Sequence, residues 1–590
     1  MDGHLLARRY GLPAWMYERA TQRRLAGDWR GACDAARVDI AFDLSTVDGA
    51  VAGPLAEDLR HLVPDLLRWH FPRGRHGMPR TGAVRLATYG RRVDLVASRD
   101  FERPHRLVLR LQPHPGASWQ FADWVELRHT WDLRHTDAYR RHVGGGDRVP
   151  FFRRDGTPLT AARLPGSCPD GSDPVRLAEW TALRQEAGET IEAWRDAGFD
   201  VSVARPPGTP DWHDFDAWSP TERWALVDDP RAMVTMLAER VARLPDGAEL
   251  CVLAESRTVP YWLALGRRDG RASATLRQGV PPEAGRLAVA AWVRPLDLEL
   301  LRDGRLAPEN LHPLVRAAWF PEHRAAPDVY RPPVAPVPAL PLTVRVPCGG
   351  TEHDVILADG AVVPVAHTAT EIEREAAFAA LGGPVAGCVA ATTAWRRPHP
   401  ESPDEPPTGP PDPEPVRELR RHALCAALHG DARELHRLLD AGLDLSIART
   451  RTGVTPLHLI GGVEPVDVDA LVRRLVAAGA DVNAAAWGGA TPLLTVVREG
   501  GRRDLVRLLL DLGADPTATE RGENALHLVL RVGGPDDAVL TRMLIDGGVP
   551  LDAREPLGRT PADYARRPRP PAESARVVLE ATESFRREGR

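Results

Sequence analysis

The sequence predicts a multidomain chain with an N-terminal α+β region (helices plus antiparallel sheets) and a C-terminal all-α solenoid. Three observations carry this. In the last third a turn-like segment occurs four times, with its Thr/Asn position spaced by 36, 33 and 36 residues, a period that belongs to stacked helical units. Between residues 83 and 111, short runs alternate apolar and polar positions, the pattern of half-buried strands. Residues 398–415 (PHPESPDEPPTGPPDPEP) are so proline-dense that neither helix nor sheet can pass through them. At 590 residues, 43% of them hydrophobic, the chain is too long for one core and has apolar material for three or four.

Composition removes several function classes. The chain contains no lysine, so all 76 basic residues are arginine; with abundant Ala, Gly and Pro, this is the usage of a GC-rich bacterial genome. A guanidinium does not replace an ammonium in a Walker-type phosphate loop, on a kinase phosphate-binding strand or in a pyridoxal Schiff base, so those mechanisms are excluded. No run approaches the roughly 18 apolar residues of a membrane span, and the start MDGHLLARRYGLPAW lacks signal-peptide design, so a cytoplasmic protein without membrane association is expected. Residues 416–590 hold 25 arginines and 25 acids, and the net charge of −5 traces to the linker, which argues against a nucleic-acid partner. Cys33, Cys168, Cys251, Cys348, Cys388 and Cys425 are scattered with no C-x-x-C pair; the expectation is ordinary reduced thiols, no thiolate zinc site and no cofactor.

In chain order, we expect an α+β domain over 1–165, a second over 175–330, a small β-hairpin plus helix unit over 342–397, the Pro-rich acidic linker over 398–415, and the repeat array over 416–590. Leu55, Leu59, Leu62 and Leu66 recur at helical spacing in a helical first 70 residues; strands follow at Val84–Thr88, Val93–Val96 and Leu107–Leu111. The second domain offers helices at Glu186–Ala197 and Met233–Leu244 and strands at Leu250–Leu253, Pro260–Leu265 and Leu287–Trp292. In the small unit, strands at Leu342–Val346, Asp354–Leu357 and Val362–Val365 precede a helix at Thr370–Leu381.

Two dense groups upstream of the linker contain residue types that could carry chemistry. Around His129, His135 and His142, a helix would separate His135 from His142 by about 10 Å along its axis with His129 facing elsewhere. A strand would hold His129 and His135 roughly 20 Å apart; no metal site is expected there. Asp211-Trp-His213-Asp214-Phe-Asp216 places a histidine among carboxylates, but so locally that a Pro-flanked loop explains it better than a general base. No catalytic motif and no catalytic residue is assigned.

After the linker the repeats are explicit. Gly453-Val-Thr455-Pro456-Leu457-His458 recurs as Gly489-Ala-Thr491-Pro492-Leu493-Leu494, Gly522-Glu-Asn524-Ala525-Leu526-His527 and Gly558-Arg-Thr560-Pro561-Ala562-Asp563. Helices close at Gly479-Ala-Asp481, Gly513-Ala-Asp515 and Gly548-Val549. Thr455 and Thr491 suit a helix N-cap, Pro456 and Pro492 the first helical position, and Gly479 and Gly513 a left-handed C-terminal residue. These residues resemble the ankyrin repeat family over about the last 170 residues, counted as five repeats with a degenerate first and a proline-interrupted last. Leu494 departs from the pattern, standing where the turn histidine belongs.

The resemblance implies a protein partner gripped on the concave face of turns and first helices, where Arg451, Trp487, Arg498, Glu520, Arg521, Glu523, Arg531 and Arg559 map. Trp487 is read either as an exposed contact or as packing against a neighbouring turn. The function expected is a protein–protein interaction scaffold or adaptor. The alternative is an enzyme, for instance a hydrolase, with its active site in 1–397 and the array as a targeting or regulatory module.

Overall fold

The computed structural model describes residues 2–396 and 414–588, except 75–78, 81, 91, 101–104, 115–120, 172, 204–218, 226–228, 254–260, 280–281, 283–284, 325–328, 334–341, 359–360, 442–444, 446–447, 449, 451, 464, 532–535 and 568–569. The Asp211–Asp216 group, Arg451 and nearly all of the 398–415 linker therefore lie outside the described residues. Contacts divide the chain into two units, Met1–Ala335 and Pro336–Arg590. No helix among the described residues is long and apolar enough to cross a membrane.

The first unit opens with α1 (Asp2–Gly11), α2 (Ala14–Leu25) and α3 (Trp29–Ala35), then β1 (Val38–Ile40), α4 (Gly49–His61) and α5 (Pro64–His70). Asp28 and Asp48 start α3 and α4 by accepting from Gly31 N and Ala50 N. β2 (Ala83–Tyr89), β3 (Val93–Arg99) and β4 (Leu107–Pro113) form the expected antiparallel ladder. The sheet is nevertheless mixed, in the order β1-β4-β3-β2-β5, because β1 and β5 (Phe121–Asp123) pair in parallel at the two edges. Three-residue strands are too short to carry an alternating pattern, which is why an antiparallel sheet alone was expected.

Next come α6 (Ala138–His142), α7 (Pro174–Glu186), α8 (Thr190–Asp196), β6 (Phe199–Ser202), α9 (Pro220–Ala225), α10 (Val234–Ala242), β7 (Leu250–Val252), β8 (Tyr261–Arg268), β9 (Arg271–Gln278), α11 (Leu296–Arg302) and α12 (Pro313–Trp319). The second sheet, β6-β9-β8-β7, is also mixed, with β6 parallel to β9. Two expectations are corrected here. The helix anticipated over 186–197 is only α8, with α7 ending at Glu186 and Gly188 (φ +82°) in the turn between them. Leu287–Trp292 is not a strand: Val289–Ala291 makes one 3-10 turn that buries Ala291 and Trp292. A short apolar run reports burial, not extension.

Tryptophan fills these cores: Trp69, Trp124, Trp131, Trp194, Trp224 and Trp292 are fully buried. Charged groups tie distant helices together inside. Asp297 of α11 accepts from Arg8 of α1 (2.7 Å to Nε) and pairs with His4 (3.0 Å). Burial alone would raise the Asp297 carboxyl; the Arg8 and His4 charges override it and hold the group well below the ordinary carboxylate range. Asp65 of α5 accepts from His312 Nε2 (2.9 Å), both wholly buried, while His312 Nδ1 accepts from Leu314 N at the start of α12.

The second unit begins with an antiparallel sheet of β10 (Leu342–Cys348), β11 (Thr351–Ala358) and β12 (Ala361–Pro364), followed by α13 (Ala369–Ala380) and α14 (Gly387–Arg396). Thr368 and Glu371 cap α13 reciprocally. Five helix pairs follow: α15 (Glu414–His429) with α16 (Ala432–Asp440), a 3-10 helix (Pro456–Gly462) with α17 (Pro465–Ala477), α18 (Pro492–Arg498) with α19 (Arg503–Asp511), α20 (Ala525–Leu530) with α21 (Ala538–Asp546), and α22 (Pro561–Ala565) with α23 (Ala572–Glu588). Leu471, Val472, Leu475, Leu505, Val506 and Leu509 lie in one continuous apolar core that runs through successive pairs.

Candidate functional site

The turns of the array are built by backbone chemistry that the sequence spells out. Gly453, Gly489, Gly522 and Gly558 all have φ near +80°. At Gly489 space is equally restrictive, since a Cβ would lie 2.5 Å from the Thr519 carbonyl oxygen of the next turn. Neighbouring turns are joined directly: Trp487 N donates to Thr452 O and Arg521 N to Gly488 O, both at 2.7 Å.

The histidines of the turns extend this joining inward. His458 Nδ1 accepts from Thr455 N (3.1 Å) and its Nε2 donates to Ala490 O (3.0 Å). His527 repeats the arrangement with Asn524 N and Arg559 O. Burial lowers the His527 pKa and so favours the neutral ring that this geometry uses. Leu494, in the equivalent position, is buried and supplies no such bond.

Of the eight residues expected on the binding face, Arg451 is outside the described residues; six of the other seven pair with one another, and Arg559 pairs with Glu555. Trp487 is 51% exposed, and the Arg521 guanidinium lies over its ring at 4.6 Å. Both readings of Trp487 thus hold in part: one face is covered by the adjacent turn and the rest meets solvent. Arg498 bonds Glu520, Arg531 bonds Glu523, and Arg559 bonds Glu555 (2.7 Å). Glu523 also accepts from Tyr564 Oη at 2.6 Å. Arg498, Arg531 and Arg559 are only partly exposed, and each has a carboxylate partner before any ligand arrives.

Upstream, the structure corrects the expected separation of histidines. His129 and His142 have ring centroids 4.5 Å apart, with Tyr139 edge-on to His129 at 4.8 Å and bonded to His70 at 2.8 Å. The segment is neither helix nor strand: two 3-10 turns, Arg128–Thr130 and Leu133–His135, double it back before α6. Burial pushes His129 well below its ordinary pKa and His142 down to about 4, so both are neutral packing groups.

Two of the six cysteines are also not isolated. Cys348 and Cys388 are buried with His353 and His367 beside them, the four ligand-capable atoms all within 4.8 Å of one another. Spacings of 4, 13 and 20 intervening residues resemble no paired-cysteine motif, and only the β10–β11 hairpin and the start of α14 reveal the cluster.

Residues 488–521, one turn and the helix pair of α18 and α19, match the model of the family described as Ankyrin repeat. That stretch is an ankyrin repeat. Comparison with curated proteins gives a similar result: a Treponema pallidum (strain Nichols) protein named for its ankyrin repeats is 30% identical over 144 residues, 24% of this chain. The chain covers 46% of that relative, about half its length.

Proposed function

We propose that the ankyrin array binds a partner protein through the face made by its turns and first helices, and that the Pro-rich linker tethers this module to residues 1–397. The observation that supports this most is Trp487: a half-exposed tryptophan held at a turn tip by Arg521, whereas Trp69, Trp124, Trp131, Trp194, Trp224 and Trp292 are fully buried. Tryptophan and arginine dominate protein-binding hot spots because they desolvate a large area with little rotamer freedom to lose. The paired arginines around it favour a partner that exchanges ion pairs or leaves them standing at the rim.

The test uses the full chain as bait in an affinity capture, beside Trp487→Ala. The wild type should retain a protein that the variant loses, with affinity falling roughly thirtyfold for about 2 kcal/mol. The melting curve should be unchanged. Equal retention by both would refute this face as the binding surface.

A further inference from the structure

We propose that Cys348, His353, His367 and Cys388 bind a structural zinc ion that pins the small sheet and α14 at the start of the second unit. The donors come from four places in the chain: the end of β10, the body of β11, the turn after β12 and, beyond α13, the first residues of α14. Cys348 Sγ lies 3.5 Å from His367 Nε2, Cys388 Sγ 3.6 Å from His353 Nδ1, and the two ring nitrogens 2.9 Å apart. A tetrahedron with zinc–nitrogen bonds of about 2.0–2.1 Å and zinc–sulfur bonds of about 2.3 Å has S···N edges near 3.6 Å and an N···N edge near 3.3 Å. These three edges thus lie within a few tenths of an ångström of the tetrahedral values, and all four atoms stay within 4.8 Å of one another.

Polar outer neighbours orient both rings for this role. The Thr351 hydroxyl donates its proton to Cys348 O (3.1 Å), so towards His353 Nε2 (3.0 Å) it accepts. His353 consequently carries its proton on Nε2 and turns a bare Nδ1 into the cluster. For His367 the outward nitrogen, Nδ1, faces Glu375 Oε1 at 3.9 Å, and Glu375 Oε2 is buried with no hydrogen-bond partner among the described residues. A proton on His367 Nδ1 suits that carboxylate and leaves Nε2 bare towards the cysteines. Without a cation, two bare nitrogens would confront each other at 2.9 Å. Outer partners of this kind, hydroxyl and carboxylate, set the tautomer of zinc-binding histidines.

The rest of the unit explains why an ion is needed. α13 buries no residue fully, and Val363, Val365, Phe378, Leu381 and Val385 are 44–87% exposed, so this sheet and its helices have little core of their own. At Gly387 a Cβ would sit 2.0 Å from Pro347 O: the residues just before Cys388 and Cys348 touch through their backbones, which brings the two thiols together. Two sulfurs and two imidazoles select zinc among common divalent ions, and four protein ligands leave no open position for a substrate.

The experiment is elemental analysis of the full-length protein, purified under reducing conditions without chelator, and of the Cys348→Ser/Cys388→Ser double variant, with Cys251→Ser as a control for loss of a buried thiol elsewhere. About one zinc per chain is expected in the wild type and the control, and none in the double variant. Cobalt(II) added to zinc-stripped wild type should give visible ligand-field bands and thiolate charge-transfer absorption of a tetrahedral S2N2 site. Wild type that carries no zinc and gives no cobalt spectrum overturns the assignment, as does a double variant that keeps its full zinc or a Cys348–Cys388 disulfide in the reduced preparation. None of these outcomes depends on whether the array captures a partner.

Discussion

The first unit and the array solve the same problem, burying apolar surface around polar anchors, with contacts of opposite range. In the array the bonds that matter recur locally or between adjacent repeats: His458 to Ala490, His527 to Arg559, Trp487 to Thr452. In the first unit, Arg8 reaches Asp297 across 289 residues and His312 reaches Asp65 across 247. The difference teaches where a substitution propagates. A lost bond in the array weakens one junction of a nearest-neighbour stack, whereas a lost bond in the first unit loosens helices from opposite ends of its chain.

The comparison breaks most visibly at Asp297. Arg8→Ala leaves that carboxylate buried with only His4 beside it and should destabilise the first unit by about 3–5 kcal/mol. Denaturant unfolding followed by tryptophan fluorescence reads this unit, because fourteen of the sixteen tryptophans lie in residues 1–335; a cost below about 1 kcal/mol would contradict the anchoring role.

Next in size is the pair Gly489→Ala and Gly479→Ala. Both glycines have positive φ, but only at Gly489 does the added carbon meet a carbonyl, that of Thr519. We expect roughly 2–3 kcal/mol for the first and about 1 kcal/mol for the second, by calorimetry. Equal costs would mean that turn stacking contributes nothing beyond backbone strain.

Acid sharpens the contrast further. Burial would raise the Glu434 carboxyl, yet hydrogen bonds and charge from His422 (2.7 Å) and Arg437 bring it down to about 2. A depressed carboxylate contributes stability that is complete above its unfolded value near pH 4.5 and is lost as pH falls from there towards 2. The array should lose about 1–2 kcal/mol over that window, and Glu434→Gln should flatten the loss. A variant with the wild-type pH slope would remove Glu434 as the source.

The smallest effect is expected from Leu494→His, which restores the turn histidine opposite Glu523. The new hydrogen bond, about 1 kcal/mol, offsets most of the lost apolar burial, so the melting temperature should move by only a few degrees. A large drop would show that this junction has repacked around leucine.

The same contrast of range explains what could be read before the structure. Thr491, Pro492, Gly489 and Gly513 announce helix starts and turns within a few residues of themselves, so the repeats and their helix boundaries were legible. The strands β2, β3, β4 and the small sheet were legible for the same reason, through alternation. The parallel edge strands, the Asp65–His312 pair and the meeting of His129 with His142 arise from chain reversals that leave no periodic trace. The cluster of Cys348, His353, His367 and Cys388 falls between: the hairpin that carries Cys348 and His353 was legible, but the Gly387 contact that brings Cys388 to it leaves no local pattern.

Burial of the cysteines has a practical consequence. Cys168 is exposed, while Cys33, Cys251, Cys348, Cys388 and Cys425 are buried. A thiol-reactive dye under native conditions should therefore label one position per chain. Each further adduct, located by peptide mass mapping, would then time the opening of its own surroundings: Cys33 and Cys251 the first unit, Cys348 and Cys388 the small sheet, and Cys425 the first repeat.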